Sequence, residues 1–443
     1  MAARIQEIRD GCPGQLVKLY GDVIEPEKIR AAEGSRERIY TAPVTVSLMV
    51  DEALSGGGLR GGVLQVQAAR AGGKPVGSST GSYSKARGRL ALEELEAVNA
   101  RVCSRLDDAE SLLGGRRILV VDGTGISLDD TAANQEAFPQ PTNQAPGCGH
   151  PVMQVVALMR LSSGAFEHAC ISPLSASESG LFYCELIEHL RPGDVLVADR
   201  GFSSFVHYAE LARRGVDALM RLHGSRPWPK SIRADEGRII WTRPRLSDCP
   251  EHVTEAEWAA LPQSITVRYL RRRVQRPGFR DQVLMVATTL LDEPAEAVLG
   301  VYLRRWDIEL RLADLKTTLA MEHLRAKTPA MARKLLIAHL IAYHLIRLLM
   351  RRAQAASQVC LTSLSFKGAL DALLRFLPRF AQSGVRRRAG ILDSLYHAIA
   401  SDPIPSRPGR IEPRVLKKRP KGFPLMTRPR AQLRQDILAS MAA

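Results

Sequence analysis

Aromatic residues make up only 5% of this 443-residue chain. So sparse a set leaves little material for a broad platform on which nucleobases could stack. No Cys-x-x-Cys pair occurs. The seven cysteines, Cys12, Cys103, Cys148, Cys170, Cys184, Cys249 and Cys360, are dispersed. That pattern argues against a disulfide framework and for free thiols in a reducing cytoplasm. Cys148 and His150 lie close in sequence, but no second ligand pair follows at a zinc-binding spacing. The opening residues, MAARIQEIRDGCPGQ, contain no apolar signal-peptide core. The most apolar run, residues 335–350, is shorter than a bilayer span and is interrupted by His339, His344 and Arg347. It reads as a buried core helix with packed or hydrogen-bonded histidines, not as a membrane segment. Acidic residues are the minority charge, 46 Asp and Glu against 62 Lys and Arg, for a net +16. That excess favours a polyanionic partner, nucleic acid before membrane. With 45% hydrophobic and 24% charged residues the chain is otherwise ordinary for a globular protein. It is long enough for two or three domains.

Residues 1–112 read as a mostly helical N-terminal region, broken by SGGGLRGG. Within it, Lys85, Arg87 and Arg89 precede an amphipathic helical pattern. A DNA-contacting module and a solvated helix start both fit. Neither a helix-turn-helix pattern nor an internal repeat is present. An α/β core then occupies residues 113–222. The run Ile118-Leu119-Val120-Val121 ends at Asp122 and Gly123-Thr124-Gly125, a buried strand with a carboxylate at its end. Residues 152–161 and 165–172 read as two further strands, and 177–190 as a helix opened by a Ser cap with Glu178 in its first turn. Val195-Leu196-Val197-Ala198 followed by Asp199 repeats the first arrangement. A helix at 204–214 and a strand at 216–222 come next. The fold class is therefore α/β, a mixed sheet with flanking helices. Residues 223–290 are richer in Pro and Arg and read as a β-rich insertion. Residues 291–400 return to helices, including the one that carries Glu309, and 401–443 form a Pro-rich basic tail that should extend.

The stretch VYLRRWDIELRLADLKTTLA holds Tyr302, Arg305, Glu309 and Lys316. In a regular α-helix these four fall within an arc of roughly 60°. One face then carries a phenol, a guanidinium, a carboxylate and an ammonium. A carboxylate can hold a metal while flanking cations hold phosphate oxygens, which is what a metal-dependent phosphodiester site requires. A solvated salt-bridge face would show the same residues. What separates the two is the pair of aspartates at strand ends. If their strands are parallel neighbours, Asp122 and Asp199 emerge together, and a helix packed on the sheet can bring Glu309 beside them. Three carboxylates at close range are tolerated when divalent cations neutralise them. Mg²⁺ or Mn²⁺ suits such hard oxygen ligands. Arg200, beside Asp199, and Arg221, at a strand end, are further phosphate-contact candidates, with salt bridges as the alternative.

Asp122 in VVDGT, Asp199 in LVADRGF and the spacing Tyr302-x2-Arg305-x3-Glu309-x6-Lys316 resemble the bacterial insertion-sequence transposases of the IS-four family. These are the DDE transposases with a Tyr-Arg-Glu-Lys signature. GSYSKAR before the first Asp and EPRVLKKRPKGFPLM near the C-terminus also look like family segments. The resemblance implies a ribonuclease H-like catalytic core with a β-rich insertion between its last strand and the Glu-bearing helix. It implies that Asp122, Asp199 and Glu309 ligate two Mg²⁺ or Mn²⁺ ions. Tyr302, Arg305 and Lys316 would contact DNA phosphates near the cut end. The N-terminal region would help recognise terminal inverted repeats, and two subunits would hold two ends as a homodimer in a synaptic complex. The implied activity is cut-and-paste transposition, with metal-dependent cleavage at element ends and strand transfer of the 3′ hydroxyl into target DNA. The implied location is the bacterial cytoplasm, at the nucleoid. One departure stands out. Where relatives carry a Trp in the insertion's last strand that stacks on a displaced base at a hairpin stage, this chain has Leu284. Trp241 lies elsewhere in the insertion.

Two other functions share most of these residues. A ribonuclease H-like metal nuclease would cut without joining, and an inactive DNA-binding regulator would do neither. Strand transfer separates the first from a transposase, and Mg²⁺-dependent cleavage separates the second. The presence of all three carboxylates and all three signature partners disfavours the regulator.

Overall fold

Aliphatic runs set the strands. In the computed structural model, which describes residues 15–32, 39–71, 76–106, 111–226, 228–274, 282–357, 359–405 and 425–442, they are β1 (Ile118–Leu128), β2 (Val152–Arg160), β3 (Phe166–Pro173), β4 (Val195–Ala198), β5 (Asp217–Arg221), β6 (Glu236–Thr242), β7 (Ser264–Val274) and β8 (Gln282–Thr288). The sheet order is β3-β2-β1-β4-β5-β8-β7-β6. β1, β4 and β5 are parallel neighbours. β5, β8, β7 and β6 continue the sheet antiparallel. All four residues of β4 are buried, as a central parallel strand requires. Its parallel connection to β5 needs a crossover, and the helix Phe205–Arg213, capped by Ser204, supplies it. The architecture is the ribonuclease H-like mixed sheet with flanking helices, and β6–β8 supply the β-rich insertion.

Several local expectations change. β1 does not stop at Asp122 but continues through the Gly-Thr-Gly sequence to Leu128. Asp122 is thus mid-strand, because β2 lies along the other side of β1 and the turn residues Gly123 and Gly125 are absorbed into the strand. Within residues 223–290, β8 pairs directly with β5. The helix read at 177–190 is instead one α turn (Glu178–Leu181), a π turn (Phe182–Leu186) and a 3-10 turn (Ile187–His189). Of the C-terminal tail, Arg430–Ala442 is helical rather than extended, and residues 406–424 lie outside the described residues. Trp241 is buried, donates from Nε1 to the Tyr269 hydroxyl at 3.0 Å and lies under the Arg226 guanidinium. A ring so enclosed is core, not a stacking surface for a base.

The chain divides into two compact units. Unit 1 comprises Met1–Gly115, Leu158–His168 and Trp306–Ile404, and unit 2 comprises Arg116–Ala157, Ala169–Arg305 and Pro405–Ala443. In unit 1 the helix Pro329–Ser357 packs against the helices Ala42–Ser55, Leu92–Cys103 and Val385–Ala400. Several of its buried polar residues fasten it to the Ser163–Phe166 turn. His344 accepts from the Phe166 N–H at 3.0 Å through Nε2, so its Nδ1–H donates to Asn99 Oδ1 at 2.9 Å. Arg347 donates to the Ser163 carbonyl, and the Tyr343 hydroxyl to the Gly164 carbonyl at 2.7 Å. Gly164 has φ +73°, a left-handed turn conformation that suits glycine. Among the described residues no helix is long and apolar enough to cross a membrane.

The GSYSKAR segment forms the helix Gly81–Arg89 with two unlike sides. Tyr83 and Arg87 are buried, while Lys85 and Arg89 are exposed. Arg87 lies 3.4 Å from Glu52, and Lys334 donates to the carbonyls of Arg87 and Gly88. Of the three cations that open this amphipathic region, Arg87 therefore belongs to the core of unit 1, and only Lys85 and Arg89 face solvent.

Candidate active site

Within unit 2 the register assembles the site. Ile118, Leu119 and Val120 pair with Val195, Leu196 and Val197. The constant offset, carried two residues further, sets Asp122 abreast of Asp199. On the other side of β4, Ala198 pairs with Met220, so the next position sets Asp199 abreast of Arg221. Asp122 in β1, Asp199 one residue past the end of β4 and Arg221 at the end of β5 thus follow from one register, carried beyond its last paired residues. Residues in register on parallel strands project to the same face, so two carboxylates and a guanidinium emerge together.

Each carboxylate is oriented by backbone. Asp122 Oδ1 accepts from the Gly123 N–H at 2.9 Å. Asp199 caps the 3-10 turn Arg200–Phe202, accepting from the Gly201 N–H at 2.7 Å. Asp122 Oδ2 lies 3.6 Å from Arg305 Nη1, a loose ion pair between two largely buried groups. Burial pushes the Asp122 carboxyl up to about 6. The Gly123 amide and the Arg305 guanidinium pull it down, and Glu178 and Asp199 push it up again. One loosely held cation thus does not offset burial and two acidic neighbours. Hard oxygen donors with surplus negative charge are the donor set that suits a divalent ion such as Mg²⁺ or Mn²⁺.

Tyr302 and Arg305 belong to the same neighbourhood. Tyr302 is 2% exposed, and its burial pushes the phenol up to about 12, so it is neutral. Arg305 and Arg221 act on it from one sign and Asp199 from the other, and Arg305 hydrogen-bonds to it. Arg200 is exposed beside Asp199. Asp194, in contrast, is a turn residue, accepting from the Arg191 N–H at 2.7 Å and paired with Arg117 at 3.2 Å.

The other two signature residues lie in unit 1. Glu309 is exposed in the helix Asp307–Ala313, and Lys316 is half-buried in the π turn Asp314–Thr318. Arg311 and Asp314 pair at 3.2 Å at the junction of the two. The stretch from Tyr302 to Lys316 is therefore not one regular α-helix. It runs from the end of the helix Ala295–Leu303 through a 3-10 turn, Arg304–Trp306, into an α segment and then a π turn. The 60° arc derived from 100° per residue does not describe it, since 3-10 and π turns advance by other angles. Among the described residues, no three His, Cys, Asp or Glu side chains sit close enough to hold a metal ion by themselves.

Sequence reasoning missed Glu178. It was legible only as a first-turn helix residue, yet it acts on Asp122 and fills the space beside Gly123. Only the fold brings residues 123 and 178 together.

A family model described as the transposase DDE domain matches residues 113–345. That stretch covers 233 of the 443 residues and includes Asp122, Asp199, Tyr302, Arg305, Glu309 and Lys316. The chain belongs to the DDE transposase family, and within it to the IS-four type. Over 316 residues it is 26% identical to the transposase InsG for insertion sequence element IS4 of Escherichia coli (strain K12), with 70% of each chain covered.

Proposed function

We propose that this protein cuts DNA at the ends of an insertion element and joins the freed 3′ hydroxyl to target DNA, using Asp122, Asp199 and Glu309 as carboxylates for two Mg²⁺ or Mn²⁺ ions. The observation that carries it is that Asp122 lies in β1 and Asp199 directly follows its parallel neighbour β4, inside the region that matches the family model. What divalent ions supply there, when bound, is activation of an attacking oxygen and charge stabilisation at a leaving oxygen. The chain's own task is to bind and orient. Asp122 and Asp199, each held by a backbone amide, that of Gly123 or of Gly201, offer their carboxylate oxygens. Arg305, steadied by the buried Tyr302, holds phosphate oxygens, and Lys316, Arg221 and Arg200 add positive charge along the DNA backbone. The excess of Lys and Arg over the whole chain supports DNA as the partner. Terminal inverted repeats, target DNA, a homodimer in the synaptic complex and a place at the bacterial nucleoid complete the proposal. The identity with a relative named for an insertion-sequence element supports it.

The test uses the full chain with DNA taken from either side of its own reading frame, a supercoiled plasmid as target, and Mg²⁺. Cleavage at defined ends and joining of a labelled 3′ end to the plasmid are expected. Cleavage without joining would assign a nuclease instead. Asp199→Asn should abolish cleavage and leave end binding in EDTA intact, because phosphate binding depends on Lys and Arg. Wild-type cleavage by that variant would remove Asp199 from the site.

A further inference from the structure

Glu178 is the one carboxylate beside Asp122 that the family signature does not include, and the fold goes to some length to place it. Gln154, on β2 and 5% exposed, donates from Nε2 to Glu178 Oε1 at 3.1 Å. The other end of the same carboxamide, Oε1, lies 3.4 Å from the Ser172 hydroxyl on β3, which shares its one proton with the Pro173 carbonyl at 3.1 Å. Ser172 is buried as well. A relay of two buried polar side chains on neighbouring strands thus ends on this carboxylate. Buried amides and hydroxyls are costly unless each finds its partner, so the relay fixes which way Glu178 faces.

The segment that carries Glu178 is held from its other side. Ser177 caps it, accepting from the Gly180 N–H at 3.3 Å. The neighbouring Ser179 carbonyl accepts from Nε2–H of the buried His207 at 3.1 Å, and the Ser204 hydroxyl sits 2.6 Å from Nδ1 of the same ring. Gly123, the residue after Asp122, completes the arrangement. A Cβ built there would overlap the Glu178 carboxylate. The φ of Gly123 is not positive, so this glycine is demanded by the carboxylate in its side-chain space and not by backbone conformation. An ordinary first-turn Glu gains only a small stabilisation from the helix dipole. The α-helical part here is only four residues long. So short a helix gives no reason for a two-strand relay and a vacated side chain.

We propose that Glu178 is a positioning residue for the cation on Asp122, adding negative charge and an acceptor beside it through the Ser172–Gln154 relay. This deepens the proposed function and rests on Asp122 as a cation ligand. Outer carboxylates and amides around metal ligands change metal affinity by about 10–100-fold when removed.

The experiment titrates Mn²⁺ into the full chain and follows the free-ion electron paramagnetic resonance signal, with near-ultraviolet circular dichroism in EDTA as the folding control. Wild type, Asp122→Asn, Glu178→Gln, Gly123→Ala and Gln154→Leu are compared. Asp122→Asn is expected to abolish the tight Mn²⁺ site. Glu178→Gln is expected to weaken it by at least about tenfold, with Gly123→Ala in the same direction because it evicts the carboxylate. Gln154→Leu changes no charge and is expected to give a smaller loss of the same sign. It serves as the deciding arm should Glu178→Gln not fold. End-DNA binding in EDTA should be unchanged in Glu178→Gln. Wild-type Mn²⁺ affinity in folded Glu178→Gln, while Asp122→Asn has lost the site, overturns the role of Glu178 alone. Equal Mn²⁺ binding by wild type and Asp122→Asn overturns the cation site and Glu178 together.

Discussion

In the helix Pro329–Ser357 of unit 1, His344 and Arg347 are buried and each hydrogen-bonds to neutral partners, an amide N–H, a carboxamide and a carbonyl. In β1 of unit 2, Asp122 is half-buried near one loosely placed guanidinium and two further carboxylates. The first arrangement is held by hydrogen bonds to neutral groups. It fastens the Ser163–Phe166 turn to the helix, and burial lowers the His344 imidazole to about 3 so that it stays neutral. The second arrangement sets carboxylates near one another, with Arg305 only loosely placed against Asp122. Buried polar groups that are satisfied hold a fold together, whereas crowded like charges mark the place where something from outside is received.

The largest effect that can break this contrast is Asp122→Asn. Cleavage should fall by about 10³-fold, several kcal/mol of lost charge stabilisation. Yet the thermal midpoint in EDTA should hold or rise, because a charge crowded by Asp199 and Glu178 has been removed. A marked loss of stability would show that Asp122 is architectural. His344→Leu should do the reverse. It leaves the Phe166 N–H without an acceptor, which costs about 1–3 kcal/mol in a denaturant titration, while Mn²⁺ binding stays unchanged. A third expectation concerns pH. His344 has a folded value below its unfolded one of about 6.5. Its contribution is therefore complete above that value and is lost as pH falls toward about 3. Between pH 7 and 5 the loss is about 2 kcal/mol for this residue, and His344→Leu should show a correspondingly flatter pH profile. The smallest effect is Lys316→Ala. It should reduce the slope of log affinity against log salt for end DNA by about one, and an unchanged slope would remove Lys316 from the phosphate contacts.

How much of this was legible in the sequence differs from residue to residue. Asp122 and Asp199 could be found because each follows four aliphatic residues, and parallel pairing turned two isolated signals into one row. The buried helix around His344 could be read because an apolar run broken by His and Arg has nowhere to go but a core. The angular arrangement from Tyr302 to Lys316 could not be read. Periodicity assumes one helix type, and a 3-10 turn and a π turn intervene. Arg87 was illegible for another reason. Three cations near a helix start look alike in one dimension, and only Glu52, 35 positions earlier, separates the buried one from Lys85 and Arg89. Glu178 needed Gly123 across a gap of 55 positions. Local chemistry survives in the sequence, and long-range adjacency does not.

The backbone passes from one unit to the other at residues 115–116, 157–158, 168–169, 305–306 and 404–405. Neither unit can therefore be excised as a fragment, nor can one be completed during translation before residue 404 has been made. A frameshift or nonsense lesion upstream of that point leaves both units short of part of their chain.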